Sequence, residues 1–155
     1  MKRTDIKSHC PVNFGLEVFG DNWSLLIVRD IVFWGKRTYG EFLTSEEGIA
    51  TNMLARRLVE LQDKGIIQKH TDAIDKRKEN YSLTEKGLAL IPILLEISGW
   101  SSRHDPLSIA PKEFVEYVYG HRDEMFALIT QTVREGGAIF VGEHSVISKM
   151  QNKEN

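Results

Sequence analysis

The sequence predicts a mainly helical fold with one small β-hairpin, and three observations support this class. Apolar residues recur at three- and four-residue spacing through most of the chain, as in GIATNMLARRLVELQDKGII, which spans Gly48–Ile67. After Gly65 the pattern changes to alternating and β-branched residues on either side of a polar tip. The 155 residues, of which 41% are hydrophobic, suffice to bury a core without disulfides or metals.

Three helices are predicted before residue 48. The first begins at Pro11 and ends at Gly20, since proline favours the start of a helix and glycine its end. The second contains tryptophan and aliphatic residues at helical spacing and ends at Gly35. The third is short. Thr38 can cap its N-terminus, and Glu41 stands three residues later, at the spacing of a capping box.

A fourth helix follows, and its two sides differ in chemistry. Its core side carries three leucines at helical spacing: Leu54, Leu58 and Leu61. At about 100° per residue, Asn52 and Arg56 lie about 160–200° from Leu54, so they point away from the core. Lys64 stands in the last turn before Gly65, which suits the negative end of the helix dipole.

The second half of the pattern begins with strands near Ile67–Thr71 and Asn80–Leu83. The loop between them contains three consecutive cations: Lys76, Arg77 and Lys78. Thr84 then caps another helix that runs to about His104, with Pro92 predicting a kink or a late start. Two helices joined by a tight glycine-containing turn and followed by a hairpin make a winged helix-turn-helix.

This architecture predicts which side chains meet double-stranded DNA, because its second helix lies in the major groove. Asn52 is the first candidate for a base contact and Arg56 the second, since these side chains bond adenine and guanine. Thr51 can bond a phosphate or cap the helix. The three wing cations are predicted phosphate or minor-groove contacts. Lys36 and Arg37 precede the short third helix, whose amides can also meet a phosphate. The competing interpretation of the fourth helix is an ordinary solvent face.

Arg57 is set apart from these candidates by its position on the helix. It lies about 60° from Leu54, so its stem is expected to pack at the edge of the core. We expect its guanidinium to pair with a carboxylate rather than to contact DNA.

The net charge of −2 leaves a DNA partner open, because the placement of cations on one face matters more than their sum. Residues 1–104 carry 15 Lys and Arg against 14 Asp and Glu, and residues 105–155 carry 5 against 8. DNA binding therefore requires Glu46, Glu47 and Glu60 to lie off the basic face. The alternative is a winged-helix module that binds proteins and no specific DNA.

Six phrases of the chain resemble those of the HxlR family of bacterial transcriptional regulators. In order they are CPV (Cys10–Val12), FGDNWSLLIVRDI (Phe19–Ile31), RTYGEF (Arg37–Phe42), GIATNMLARRLVEL (Gly48–Leu61), KGII (Lys64–Ile67) and YSLTEKG (Tyr81–Gly87). They keep family order and spacing over about residues 10–100. The resemblance implies a homodimeric DNA-binding regulator that often responds to a chemical stress or a metabolite. Two recognition helices about one DNA turn apart would read an inverted-repeat operator.

The chain departs from the family pattern at three places. Where relatives often have a serine before the recognition helix, this chain has Ala50, so the cap is expected at Thr51 or Gly48. Relatives often carry a lysine or another polar residue near the position of Asn52, so no base preference is carried over. The wing sequence DKRKENYSLTEKG is more similar to that of the MarR family, whose members also bind DNA through the recognition helix.

Cys10 is a candidate thiol sensor, because some members of the family that the chain resembles use an N-terminal cysteine in this way. Lys7 and His9 lie close in sequence and can favour the thiolate. The alternative is a small hydrophobe buried at a dimer interface. A single cysteine excludes an intrachain disulfide and fits the reducing cytoplasm.

The predicted domain organisation has two parts. Residues 1–104 form the winged helix-turn-helix DNA-binding domain, and residues 105–155 form a C-terminal helical extension. Within the extension, HRDEMFALITQTVREGG is helical, Ala138–Gly142 is strand-like, and SKMQNKEN is a frayed tail. We expect the extension to enlarge a dimer interface, in which Trp100 can take part. A pocket for a small apolar ligand is the alternative.

Other classes of function find no motif in the sequence. Five histidines are scattered, and none stands at a metal-ligand spacing from other ligands. Neither a phosphate-binding glycine loop nor a nucleophile elbow is present. No run approaches 18 apolar residues, so no membrane span is expected. We therefore predict no enzyme activity, cofactor or metal. The resemblance to the HxlR family implies an oxidant or a small molecule as the effector.

Overall fold

In the computed structural model of the protein, which describes residues 7–153, the elements fall into two units. The first unit comprises the chain up to Ile31 together with Lys36–Gly87, and the second comprises Val32–Gly35 and the chain from Leu88 onward. The first unit contains α1 (Pro11–Phe19), most of α2 (Ser24–Trp34), α3 (Tyr39–Phe42), α4 (Thr51–Asp63), β1 (Ile67–Thr71), β2 (Glu79–Leu83) and most of α5 (Glu85–Leu88). The second contains α6 (Ile91–His104), α7 (Lys112–Gly120), α8 (Arg122–Arg134) and α9 (Val146–Lys153).

The predicted fold class, mainly helical with a winged helix-turn-helix and a helical extension, is confirmed. Strands β1 and β2 pair antiparallel in register, with Ile67 opposite Leu83 and Thr71 opposite Glu79. The predicted bounds of β1 match the structure, and β2 begins one residue earlier than expected. The three leucines of α4 are buried, as their spacing requires.

The start of α3 is fixed by a capping box, as predicted. The amide of Glu41 donates to the Thr38 hydroxyl oxygen at 3.2 Å. The Glu41 carboxylate in turn accepts from the amides of Thr38, at 2.9 Å, and Arg37, at 2.7 Å. These reciprocal bonds satisfy amides that a helix start leaves without partners.

The C-terminal end of α4 differs in detail from the expectation. Lys64 does follow the last turn, but its ammonium donates to the carbonyl oxygens of Glu17, at 3.1 Å, and Val18, at 3.0 Å, near the end of α1. The carbonyl of Lys64 instead accepts from the Lys86 ammonium at 2.7 Å. Two lysines thus supply donors to two helix ends, each from a different element.

The helix predicted from Thr84 to His104 is divided in two. The Thr84 hydroxyl accepts from the Gly87 amide at 3.1 Å and so begins the short α5. The long helix starts afresh at Ile91, with Pro92 in its first turn, where a proline costs no hydrogen bond. The late start that Pro92 predicted is therefore confirmed.

Two predictions for the extension were wrong. Ala138–Gly142 forms no strand, because the amides of Ile139 and Phe140 donate to the carbonyls of Val32, at 2.9 Å, and Phe33, at 3.1 Å. These carbonyls end a helix and need donors, which the segment supplies.

The predicted frayed tail is also largely helical. Val146 is fully buried, and α9 runs on to Lys153. Glu154 and Asn155 lie outside the described residues. Contacts divide the chain near residue 87, ahead of the expected boundary at 104, since α6 belongs to the second unit. No helix within residues 7–153 has the length and apolarity that crossing a membrane requires.

Candidate nucleic-acid interface

The recognition helix α4 begins at Thr51 with no side-chain cap. Ala50 occupies the N-cap position, so the cap expected at Thr51 or Gly48 is absent because alanine carries no acceptor. The helix start is held from α3 instead, where the Tyr39 hydroxyl donates to the Thr51 carbonyl at 2.7 Å. Gly48 has a φ of +67°, a value that suits glycine, and turns the chain into the helix.

The outer side of α4 is open to solvent at the predicted positions. Thr51, Asn52 and Arg56 are all exposed, and 68% of the Arg56 side chain is accessible. The Asn52 side-chain oxygen accepts from the amide of Met53 at 2.9 Å. Asn52 and Arg56 therefore lie on the side of α4 opposite its buried leucines, whereas Thr51 is exposed at the start of the helix.

Arg57 is held inside the domain by carboxylates, as its position on the helix predicted. Only 18% of its side chain is exposed. Its Nη1 donates to Glu60, and its Nε lies 3.4 Å from Asp21 Oδ1, within ion-pair distance but without hydrogen-bond geometry.

Asp21 is itself fixed by the first turn of α2. Its Oδ1 accepts from the amides of Trp23 at 2.8 Å and Ser24 at 2.9 Å. Burial raises the pKa of the Asp21 carboxyl, but the hydrogen bonds from Ser24 and from these amides, with the charge of Arg57, lower it below its usual value. Asp21 therefore stays ionised beside Arg57 at neutral pH.

Lys36 has a partner inside the domain that the sequence did not reveal. Its ammonium lies 3.3 Å from Asp30 Oδ2, a carboxylate on a residue that is 3% exposed, and 2.8 Å from the Ser45 hydroxyl. Arg29 binds the other oxygen of Asp30 at 2.7 Å and also reaches Glu47. Because its charge offsets a buried carboxylate, Lys36 is left out of the candidate interface.

The phosphate contact predicted at the start of α3 meets a similar obstacle. The amides of Arg37, Thr38 and Glu41 are already bonded within the capping box, and the Glu41 carboxylate lies there. Burial lowers the pKa of the Arg37 guanidinium, against the opposing charge of Glu41. Arg37 is half-buried and bonds the Tyr81 amide through its carbonyl at 2.7 Å. The start of α3 thus has few donors left for a phosphate.

The wing presents its three cations on a built turn. Lys76, Arg77 and Lys78 are all exposed, and 92% of the Arg77 side chain is accessible, with Nε 3.2 Å from Asp75 Oδ1. The Asp72 carboxylate holds the turn. Its oxygens accept from the amides of Ile74 at 2.8 Å and Asp75 at 2.9 Å and from the Asn80 side chain at 3.0 Å. These hydrogen bonds lower the pKa of the Asp72 carboxyl, and the bond from the Asp75 amide has the largest effect.

The acidic residues of the first unit are only partly kept off this surface. Glu47 bonds Arg29, and that bond lowers its pKa to about 2. Glu60 lies on α4 itself, where its Oε1 accepts from Arg56 Nε at 3.0 Å. The four-residue spacing of Arg56 and Glu60 on one helix is the sequence signal that indicates this pair. Tyr39 was also missed, since no spacing rule predicts its contact with α4.

Cys10 is exposed and stands at the N-cap position of α1. The backbone amides of Asn13 and Val12 lower the pKa of its thiol below the ordinary value. The expected cause was a nearby cation, Lys7 or His9, but the helix start has this effect instead. Among residues 7–153 no group of three or more histidine, cysteine or acidic side chains is arranged for a metal ion.

Comparison with known proteins places this architecture among transcriptional regulators. The sequence profile of the HxlR-like helix-turn-helix family matches residues 18–108. The HTH-type transcriptional regulator YybR of Bacillus subtilis (strain 168) is 35% identical over 94 residues, which cover 61% of this chain and 74% of that protein.

Solved structures agree with this match. PA1607 superposes with a TM-score of 0.58 and 39% identity, over 68% of this chain and 70% of that one. The redox regulator HypR in its oxidized form gives a TM-score of 0.55 and 34% identity, over 61% of this chain and 96% of that one.

Proposed function

The chain belongs to the HxlR-like helix-turn-helix family of transcriptional regulators, and on that premise we propose that it is a homodimer that binds an inverted-repeat operator. The observation that carries the proposal is the outer side of α4. Asn52 and Arg56 are exposed there, opposite buried leucines, and Thr51 is exposed at the start of the helix. A helix docked by its leucines and open on its other side fits the major groove, where such side chains read base edges.

The wing supports the proposal with charge that is independent of sequence. Lys76, Arg77 and Lys78 stand exposed on a turn that Asp72 stabilises. Cations in this position neutralise phosphates and set the register of the helix on the duplex. Three such cations in each protomer make six in a dimer, so log K should fall against log salt with a slope of roughly −5 at most.

Dimerisation is supported by apolar side chains that neither unit buries. On α1 the exposed fractions of Val12 and Leu16 are 69% and 60%, although their spacing places them on one side of the helix. In the second unit α6 exposes Ile97 at 46% and Trp100 at 61%. Side chains of this size on a helix commonly mark a protein interface.

We propose an oxidant or electrophile that reacts at Cys10 as the class of effector. The exposed thiol with a lowered pKa is suited to such a reaction, and the similar protein HypR is described as a redox regulator. A small apolar ligand bound by the extension is the competing class. Loss of DNA binding in the Cys10→Ser variant on treatment with a quinone or peroxide would favour the ligand class or another site.

A second candidate function is a winged-helix module that binds a protein partner. One observation favours it, because exposed cations of the first unit lie beside carboxylates, as Arg56 does beside Glu60 and Lys69 beside Glu79. Such pairing weakens the attraction to a polyanion. This module would show no preference among DNA sequences.

The experiment that separates the two functions is selection from a randomised duplex pool, followed by salt titration of the best sequence and a scrambled control. Enrichment of an inverted repeat, bound by a dimer, is the expected result. Weak binding that is equal for both duplexes would reject sequence-specific regulation and favour the interaction module. A monomer at micromolar concentration, measured by sedimentation, would reject the proposed dimer.

A further inference from the structure

We propose that Glu60 determines the sequence specificity of this protein by orienting Arg56 for a base contact. This proposal rests on the proposed DNA-binding function. Glu60 follows Arg56 by one turn of α4, and its Oε1 accepts from Arg56 Nε at 3.0 Å. The other oxygen, Oε2, accepts from Nη1 of Arg57. One carboxylate therefore binds two guanidinium groups, one exposed and one largely buried.

Glu60 is itself anchored from the interior of the first unit. Arg57, which binds it, is 18% exposed and lies 3.4 Å from Asp21. Asp21 is fixed by two backbone amides at the start of α2. From Arg57 outward the exposed fraction of the side chain rises, to 27% for Glu60 and 68% for Arg56. The outermost guanidinium is thus linked through three charged groups to the backbone of another helix.

This anchoring leaves Arg56 with the right groups for reading a base. Because Nε is used by Glu60, the two Nη groups remain, and a pair of such donors matches the O6 and N7 acceptors of guanine. An arginine whose plane is already oriented also loses less side-chain entropy when it binds. The positive charge is meanwhile offset by Glu60, which disfavours a loose contact with any phosphate. Both effects increase selectivity more than affinity.

The Glu60→Gln variant tests the proposal because glutamine has the same shape and lacks the charge. Glutamine keeps a side-chain oxygen that can accept from Arg57, and Asp21 still offsets the charge of that arginine. A folded variant is therefore expected, and its melting temperature verifies this. We expect scrambled DNA to be bound at least as tightly as by the parent. Discrimination at one base pair should fall by roughly fivefold or more, as for a lost bidentate contact. Glu46→Gln removes the same charge from an exposed turn residue and should leave discrimination unchanged.

A double-mutant cycle with Arg56→Met separates orientation from a purely structural role. Both single variants should lose discrimination at the same base pair, and Glu60→Gln should add nothing in the Arg56→Met background. Glu60→Asp keeps the charge but shortens the side chain, and it should lose discrimination as well.

Three results would overturn the proposal. In the first, Glu60→Gln discriminates between base pairs as well as the parent does. In the second, Glu60→Gln causes a further loss of discrimination in the Arg56→Met background. In the third, Arg56→Met alone loses no discrimination. If the parent and Glu60→Gln discriminate among duplexes equally well, this inference alone is rejected. A parent that prefers no sequence rejects the proposed function and the inference with it.

Discussion

The hydroxyl of Tyr39 donates to the carbonyl oxygen of Thr51 across a distance of 2.7 Å. This bond joins α3 to the first residue of α4, where the N-cap position is an alanine that offers no side-chain bond. The proposed DNA-reading residue Asn52 follows directly. Tyr39 is therefore placed to set where the recognition helix begins.

Replacing Tyr39 by phenylalanine should weaken both the fold and DNA binding. Loss of one hydrogen bond is expected to cost about 0.5–1.5 kcal/mol of unfolding free energy. If the helix start then shifts, affinity for the selected duplex should fall by roughly twofold to tenfold. Urea denaturation and a binding titration give the two quantities.

The matched control is Tyr119→Phe, which removes a hydroxyl that donates to Glu96 at 3.2 Å in the second unit. It should cost similar stability and leave DNA affinity as it was. Equal affinity losses in both variants would show that Tyr39 has no special part in positioning α4.

A pair of lysine variants distinguishes structural from DNA-binding cations. Lys36→Met should destabilise the protein by about 1–3 kcal/mol, because Asp30 is buried and would keep only Arg29 and Ser45 as partners. Lys76→Met should leave stability within about 0.5 kcal/mol, since Lys76 is exposed on the wing.

The effects of these two variants on DNA binding should be the reverse of their effects on stability. Lys76→Met is expected to weaken all duplexes alike and to make the salt slope shallower by about one per protomer. Folded Lys36→Met should keep the slope of the parent. A shallower salt slope for Lys36→Met would show that Lys36 contacts a phosphate despite its ion pair with Asp30.

The sequence alone predicts features that depend on local spacing, but not contacts between distant elements. The buried face of α4, the capping box and both strands follow from local spacing, and local spacing is readable along one chain. Lys36 lies six residues after Asp30 and nine before Ser45, and their meeting depends on how α2 and the following turn pack. The same limit applied to Lys64 and to Tyr39, whose partners belong to other elements.

The extension shows a second kind of limit. Ala138–Gly142 has the apolar, β-branched composition of a strand, yet its amides satisfy the carbonyl groups at the end of α2. Composition records that a segment is buried, but not which backbone groups it will meet. The segment 112–120 forms α7, a helix that was not predicted from the sequence.

The pH dependence of stability should show a contribution from Glu47. Its pKa in the folded protein is about 2, below the ordinary 4.5, chiefly because Arg29 donates to it. A lowered carboxyl pKa adds stability that is complete above about pH 4.5 and is lost as the pH falls toward 2.

The Glu47→Gln variant isolates that contribution from other carboxylates. It should be less stable than the parent at pH 7. The difference should shrink as the pH approaches 2, where about half of the parent's Glu47 is protonated, and vanish at lower pH. Chemical denaturation at a series of pH values measures this difference. A difference that stays constant from pH 7 to pH 2 would contradict a role for the ionised Glu47 carboxylate.

Gly87 should tolerate no side chain, because the backbone approaches it closely. A Cβ added there would lie 2.1 Å from the carbonyl oxygen of Ile66, the residue before β1. Backbone cannot rotate away as a side chain can, so Gly87→Ala must separate α5 from the start of the wing. We expect unfolding free energy to fall by about 1–3 kcal/mol, a loss typical of overpacking.

Gly40→Ala is the control, since nothing lies within 4 Å of its added Cβ and alanine favours a helix. If both variants unfold at the urea concentration of the parent, the close approach of Gly87 to Ile66 does not constrain the wing.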